Sequence, residues 1–291
     1  MMENLKIAKL YEDVPTEALV RLKSFREKYP YQKITIDGKE WSYIDTREGE
    51  ETLLLLAGST TVAEVSFLEL EHFAPHFRVI SPDYPPIDNL KELFGGFIKL
   101  LTHLGIEKFY TMGGVYGGWI AQSLVRQYPE LIGKLVLANV GPPDKENNQQ
   151  MVKTMRWIKL TPTSVLRTSV SRSFSQMDSG DHDNPDQLLL MALTQEALLY
   201  RIQRADILTS LERLIDQTKN YDFSSVDLET WTGSILVLFS QDDPGTPQEA
   251  RQAMKNLYPG ADFKVLGSDE GGKYSSETHH FFTAINEFLG R

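Results

Sequence analysis

The run Gly113-Gly114-Val115-Tyr116-Gly117-Gly118 holds the residues whose types and spacing bear most directly on chemistry. It separates a strand-like segment, Phe109 to Met112, from a helix-like one, Trp119 to Tyr128, which stops before Pro129. Small residues on both sides of a central residue permit a strained strand-to-helix bend. Such a bend lifts the central side chain to the carboxyl edge of a sheet, where the first amides of the helix point. A serine at that apex would be a nucleophile. Val115 has no lone pair and cannot form an acyl intermediate. A second candidate is Ser59, Thr60 and Thr61 after Gly58, read either as a Ser/Thr-rich turn or as the source of a displaced hydroxyl nucleophile. The histidines are His72, His76, His103, His182, His279 and His280. His72 and His76 have helical i, i+4 spacing, but Pro75 interrupts the turn, and Phe73 stands where a zinc-protease pattern needs glutamate. No metal site and no cofactor are expected.

These residues need a sheet to hold them. Ile34-Thr35-Ile36 and Trp41-Ser42-Tyr43-Ile44 around Asp37-Gly38 read as a hairpin. Thr52 to Leu56, Phe77 to Ile80, Phe109 to Met112, Leu135 to Ala138, Ile235 to Phe239 and Phe263 to Leu266 are short apolar runs of the kind buried in parallel sheets. Leu90 to Leu104 and Phe281 to Leu289 carry helical apolar spacing. Strand, glycine turn, helix and strand from Phe109 to Ala138 make a βαβ unit. Between residues 142 and 230 the strand-like runs stop and helical stretches, Gln187 to Leu199 and Ile207 to Ile215, replace them; Ser173 to Pro185 reads as a polar loop. The expected organisation is a helical leader over 1–30, an α/β core over 31–141 and 231–291, and a helical lid inserted at 142–230. The expected fold class is a mostly parallel sheet with helices on both faces.

Four segments in chain order resemble the α/β-hydrolase superfamily, and within it small bacterial and maspardin-like members. They are Leu53 to Gly58, Val79 to Pro86, the glycine turn, and Ile235 to Pro244 with Pro247. The resemblance implies a nucleophile elbow at Val115, an acid at Asp243 (Asp242 fits the spacing to Pro244 and Pro247 less well), and a histidine position at Lys273, after Gly271-Gly272. It implies oxyanion-hole amides at Ser59 and Tyr116, with Gly58 and Gly117 beside them. Two of the three triad positions thus depart from the Ser, Asp, His order. An ammonium beside a carboxylate stays protonated and makes a poor base, so an Asp243–Lys273 ion pair under the lid is the expected replacement for the Asp–His hydrogen bond. Tyr116 either donates a hydrogen bond into a pocket or packs under the lid.

The 291 residues carry a formal net charge of −10, and 24% are charged and 41% apolar. The acidic balance disfavours nucleic acid as a partner, and no apolar run is long enough to span a membrane. The charges interrupting Met1 to Leu19 disfavour a secretory signal. With no cysteine, disulfides, thiolate metal sites and a thiol nucleophile are excluded. The expectation is a soluble, cytoplasmic, non-hydrolytic protein that binds a small apolar or carbonyl ligand or a protein partner, with a homodimer as one assembly. The alternative is an esterase-, lactonase- or lyase-like enzyme working through Asp243, Lys273 and the oxyanion-hole amides.

Overall fold

In a computed structural model, residues 2–143, 148–163, 165, 166, 168, 169, 172, 184–221, 223–267 and 277–291 are described. Eight strands form one sheet: β1 (Gln32–Ile36), β2 (Lys39–Asp45), β3 (Thr52–Leu56), β4 (Arg78–Pro82), β5 (Phe109–Gly114), β6 (Ile132–Ala138), β7 (Ser234–Ser240) and β8 (Asp262–Leu266), in the order β1-β2-β4-β3-β5-β6-β7-β8. β2 pairs antiparallel with both of its neighbours, and every pairing from β4 through β8 is parallel. The β1–β2 turn places Asp37 and Gly38 at φ +50° and +76°, the two left-handed residues that a tight hairpin turn requires.

The apolar strand runs are explained by helices on both faces. Leu54 and Leu56 enter one core, and Leu53 and Leu55 enter the other, following the two-residue period of a strand. On the first face lie α4 (Leu90–His103), α5 (Val115–Gln127) and α9 (Gln248–Leu257). On the second lie α2 (Thr16–Lys28), α3 (Phe67–Phe73) and α10 (Glu277–Leu289). Before the sheet run α1 (Met2–Leu10) and α2, of which α2 packs on the body. Ala18, Leu22 and Phe25 form the buried stripe of α2, and the Phe25 ring meets Phe67 edge-on at 5.3 Å.

Between β6 and β7 the chain leaves the sheet as α6 (Asn148–Leu160), α7 (Pro185–Glu196), a π-helical turn at Ala197–Arg201, and α8 (Arg204–Asn220). Leu189, Ala192 and Leu193 of α7 join the second core, so the insert is anchored to the body. Most of the sequence-predicted loop Ser173 to Pro185 lies outside the described residues. No described helix is long and apolar enough to cross a membrane.

The bend from β5 into α5 rests on close backbone contacts. A Cβ on Gly117 would sit 2.4 Å from the Leu56 carbonyl oxygen and 2.8 Å from that of Ala57, and one on Gly113 would sit 2.4 Å from the Gly117 carbonyl. These neighbours are backbone and cannot swing aside. Gly117→Ala should therefore destabilise the fold by at least about 2 kcal/mol, the upper part of the usual overpacking range. Chemical denaturation is the check, and an unchanged midpoint would mean that α5 sits further from β3.

Candidate functional site

The apex of the β5–α5 bend is Val115, at φ +47° and 51% exposed. A β-branched residue in the left-handed region is a genuine outlier. Here the strain is imposed by the glycine packing on either side and raises the side chain to the carboxyl edge of the sheet. Next to it, the first-turn amide of Tyr116 has no acceptor within its own helix. The loop after β3 approaches from the other side. Its turn is closed by the Thr61 amide on the Gly58 carbonyl at 2.9 Å, with Thr61 at φ +58° and Ser59 exposed.

Both ends of that loop are fastened. The Tyr84 amide donates to the Thr61 carbonyl at 3.0 Å, and the Tyr84 hydroxyl to the Ala57 carbonyl at 3.0 Å. Asp83 Oδ1 accepts from the Ala63 amide at 2.7 Å and the Tyr31 hydroxyl at 3.0 Å. Arg201, in the π-helical turn of the insert, donates to Asp83 Oδ2 at 3.0 Å and to Glu64 Oε2 at 3.2 Å. Arg26 holds the other Glu64 oxygen at 2.7 Å. Burial pushes the Asp83 carboxyl above its ordinary range, with the Arg201 charge opposing. The insert is thus tied electrostatically to the loop that carries the Ser59 amide.

Tyr116 packs under the insert, the second of the two readings open from sequence. It is 4% exposed and meets Arg213 of α8, which is 1% exposed. The Arg213 Nε donates to the Tyr116 hydroxyl at 2.7 Å, and its remaining bonds go to the Ile87 carbonyl at 2.7 Å, the Pro85 carbonyl at 3.4 Å and Ser210 Oγ at 3.0 Å. The guanidinium also lies over the rings of Tyr84 and Tyr116, at 5.6 and 5.8 Å. Among the described residues it has no carboxylate partner. Burial raises the Tyr116 hydroxyl's pKa, against the lowering by the nearby cation. Sequence reading missed Arg213, because three of its four acceptors lie about a hundred residues away in the chain and two of those are backbone carbonyls.

Asp243 follows β7, which lies two strands from β5, about 10 Å across the sheet. Its carboxylate is taken up by its own loop: Oδ1 accepts from the Gly245 amide at 2.9 Å and Oδ2 from the Thr246 hydroxyl at 2.8 Å. Arg251 braces that loop through the carbonyls of Thr246, Ser240 and Gln241, at 2.6, 2.7 and 2.9 Å. Asn139, at φ +47° after β6, ties β6 to β7 by exchanging hydrogen bonds with Ser240. Lys273, and with it the expected Asp243–Lys273 pair, lies outside the described residues.

None of the described histidines sits at the elbow by its contacts or its element. His72 stacks on Phe282 at 4.1 Å and lies 3.0 Å from the Asn286 amide nitrogen. His76 and His103 are exposed, as are His279 and His280 in the first turn of α10. Among the described residues no three potential ligands converge as a metal site would require. His182 lies outside them.

This strand order, with a bend after β5, a loop after β3 and an insert after β6, is the α/β-hydrolase fold. In sequence the chain resembles maspardin: it is 29% identical over 248 residues to maspardin of Danio rerio, covering 81% of this chain and 75% of that protein. It is 25% identical over 267 residues to a 2-hydroxy-6-oxononadienedioate/2-hydroxy-6-oxononatrienedioate hydrolase of Paraburkholderia phymatum, covering 86% of this chain and 90% of that one. A solved hydrolase from Pseudomonas aeruginosa superposes with a TM-score of 0.70 at 19% identity, covering 90% of this chain and 99% of that one. No family model matches the chain.

Two outcomes follow from the geometry. Arg213→Met would take the donor from the buried Ile87 carbonyl, while the Tyr116 hydroxyl keeps its bond to the Ser210 carbonyl at 3.3 Å and the Pro85 carbonyl keeps the Ile87 amide at 2.7 Å; one unsatisfied group costs about 1–3 kcal/mol. The variant should lose about 1–3 kcal/mol in urea unfolding; an unchanged midpoint would place the guanidinium in solvent. Burial lowers the His72 pKa below 6.5, against the contribution of Asn286. The unfolded chain then takes up the proton first as pH falls, so stability is lost as pH drops through 6.5 toward the folded value. His72→Phe should flatten this part of the stability–pH curve, and an unaltered curve would show that His72 is solvated.

Proposed function

We propose that this chain is a non-hydrolytic binding protein built on the hydrolase frame, holding a small apolar or carbonyl ligand, or a partner's side chain, over the elbow. The observation that carries the reading is Val115, raised on the left-handed apex and half-exposed. Its methyl groups offer a hydrophobic contact and no electron pair for acyl transfer. In this reading Val115 replaces the nucleophile, Lys273 replaces the histidine as a cation unable to take a proton from a hydroxyl, and Asp243 keeps the acid position. Gly58, Ser59, Tyr116 and Gly117 form the ligand-contacting rim, where the two amides can accept a carbonyl oxygen without a nucleophile beneath it.

Triad-independent esterase, lactonase or lyase chemistry is less well supported. The Asp243 carboxylate is already engaged by Gly245 and Thr246, and the Tyr116 hydroxyl by Arg213.

A serine-directed fluorophosphonate should leave the protein unlabelled, and a screen of esters and lactones should stay at the buffer rate. Turnover that disappears in Asp243→Asn would contradict the proposal and establish an enzyme.

A further inference from the structure

The insert meets α2 and the loop after β3 through one run of alternating charges. Arg26 of α2 donates from Nε to Glu64 Oε1 at 2.7 Å and from Nη2 to Glu64 Oε2 at 2.9 Å. The same Nη2 lies 3.4 Å from Glu196 Oε2, at the end of α7. Glu196 also accepts from the hydroxyl of Tyr11, the residue after α1. Arg201 carries the run on from Glu64 to Asp83, at 3.2 and 3.0 Å. Glu196, Arg26, Glu64, Arg201 and Asp83 thus alternate in sign, and each comes from a different segment of the chain than its neighbours in the run. The Glu64 side chain is 7% exposed, so solvent screens its pairs less than it screens a surface pair.

The apolar contact at the same place is small. Val62 and Val65 of the loop meet Ala197, Leu198 and Ile202 of the insert in a cluster separate from the two cores of the sheet. A satellite of this size holds a segment weakly by itself, so the charged hydrogen bonds decide how firmly the insert sits on the loop. Glu64 lies in the 3-10 turn Ala63–Ser66, into which the loop carrying Ser59 leads. What holds Glu64 therefore holds that loop. Within the run, Arg26 is the link that joins Glu64 to α7.

We propose that α2 is a strap. Through Arg26 it fixes the insert on the loop that carries Ser59, and so couples the rim of the elbow to the N-terminal helices. Releasing the strap frees the turn Ala197–Arg201 and the loop while the sheet stays folded. The proposal rests on the binding reading only in calling that loop a rim.

The chain has no cysteine, so a single introduced thiol reports local opening. Ala197→Cys places one in the turn, where Ala197 is 1% exposed, and Ala121→Cys places one in α5, where Ala121 is 0% exposed. When opening and closing are fast relative to reaction, labelling by iodoacetamide follows the open population. Adding Arg26→Met should raise the labelling rate of the Ala197→Cys protein at least about fivefold, on the scale of a lost charged hydrogen bond. The rate of the Ala121→Cys protein should stay as it was. Lys23→Met, on the same helix but in an exposed pair with Glu27, should change neither rate. Should Arg26→Met fail to fold by circular dichroism, Tyr11→Phe, which removes only the hydroxyl on Glu196, should raise the Ala197→Cys rate at least about twofold. An unchanged Ala197→Cys rate in the folded strap variant, an equal rise in both thiol proteins, or a like rise with Lys23→Met overturns the proposal. Turnover of p-nitrophenyl acetate by the wild type would overturn the non-hydrolytic reading alone and leave the strap standing.

Discussion

The first turn of α5 lies against the end of β3 with no room for a side chain, and the geometry of the site descends from that contact. Gly117 rests on the carbonyls of Leu56 and Ala57, and Gly113 rests on Gly117. With both ends of the bend fixed, the residue at its apex has no conformation open to it but the left-handed one. The frame therefore presents whatever stands at position 115, with the Tyr116 amide in the first turn of α5 beside it. Shape and chemistry are separable in this fold because the shape depends on glycines and backbone, and the chemistry on one side chain. That separation lets a valine occupy the position at the cost of local strain.

Around this frame the insert is held in two ways. At one end Arg201 reaches Asp83 and Glu64, charges that also hold the loop after β3. At the other, Arg213 is buried among carbonyls and tyrosines, joining α8 to the turn after β4 and to Tyr116. A buried guanidinium is costly unless its donors are satisfied, and removing its acceptors is costlier still. Such a contact specifies one arrangement of insert over body.

Much of this frame was legible in the sequence. Uninterrupted apolar runs such as Leu53 to Leu56 signalled strands covered on both faces, and Asp37-Gly38 and the Gly113 to Gly118 run signalled turns, because both patterns are local. The docking of α2 was less visible: Ala18, Leu22 and Phe25 lie among Arg and Lys side chains that point to solvent. Arg213 and the Glu64–Asp83–Arg201 cluster were invisible, since their partners are far apart in the chain and several are backbone atoms. The expected pair of Asp243 with Lys273 lies outside the described residues; within them the carboxylate accepts from the Gly245 amide and the Thr246 hydroxyl. Tyr116 was left between two roles that only the position of α8 could separate.

The central claim is that the frame of a hydrolase persists and that its chemistry is missing at two side chains. Rebuilding those side chains tests it most directly. The p-nitrophenyl acetate rate should be at background in the wild type, in Val115→Ser and in Lys273→His, and rise measurably above background only in the double variant, where a serine and a base stand together. A double variant that folds and stays at background, or a wild type that already turns the ester over, would contradict the account.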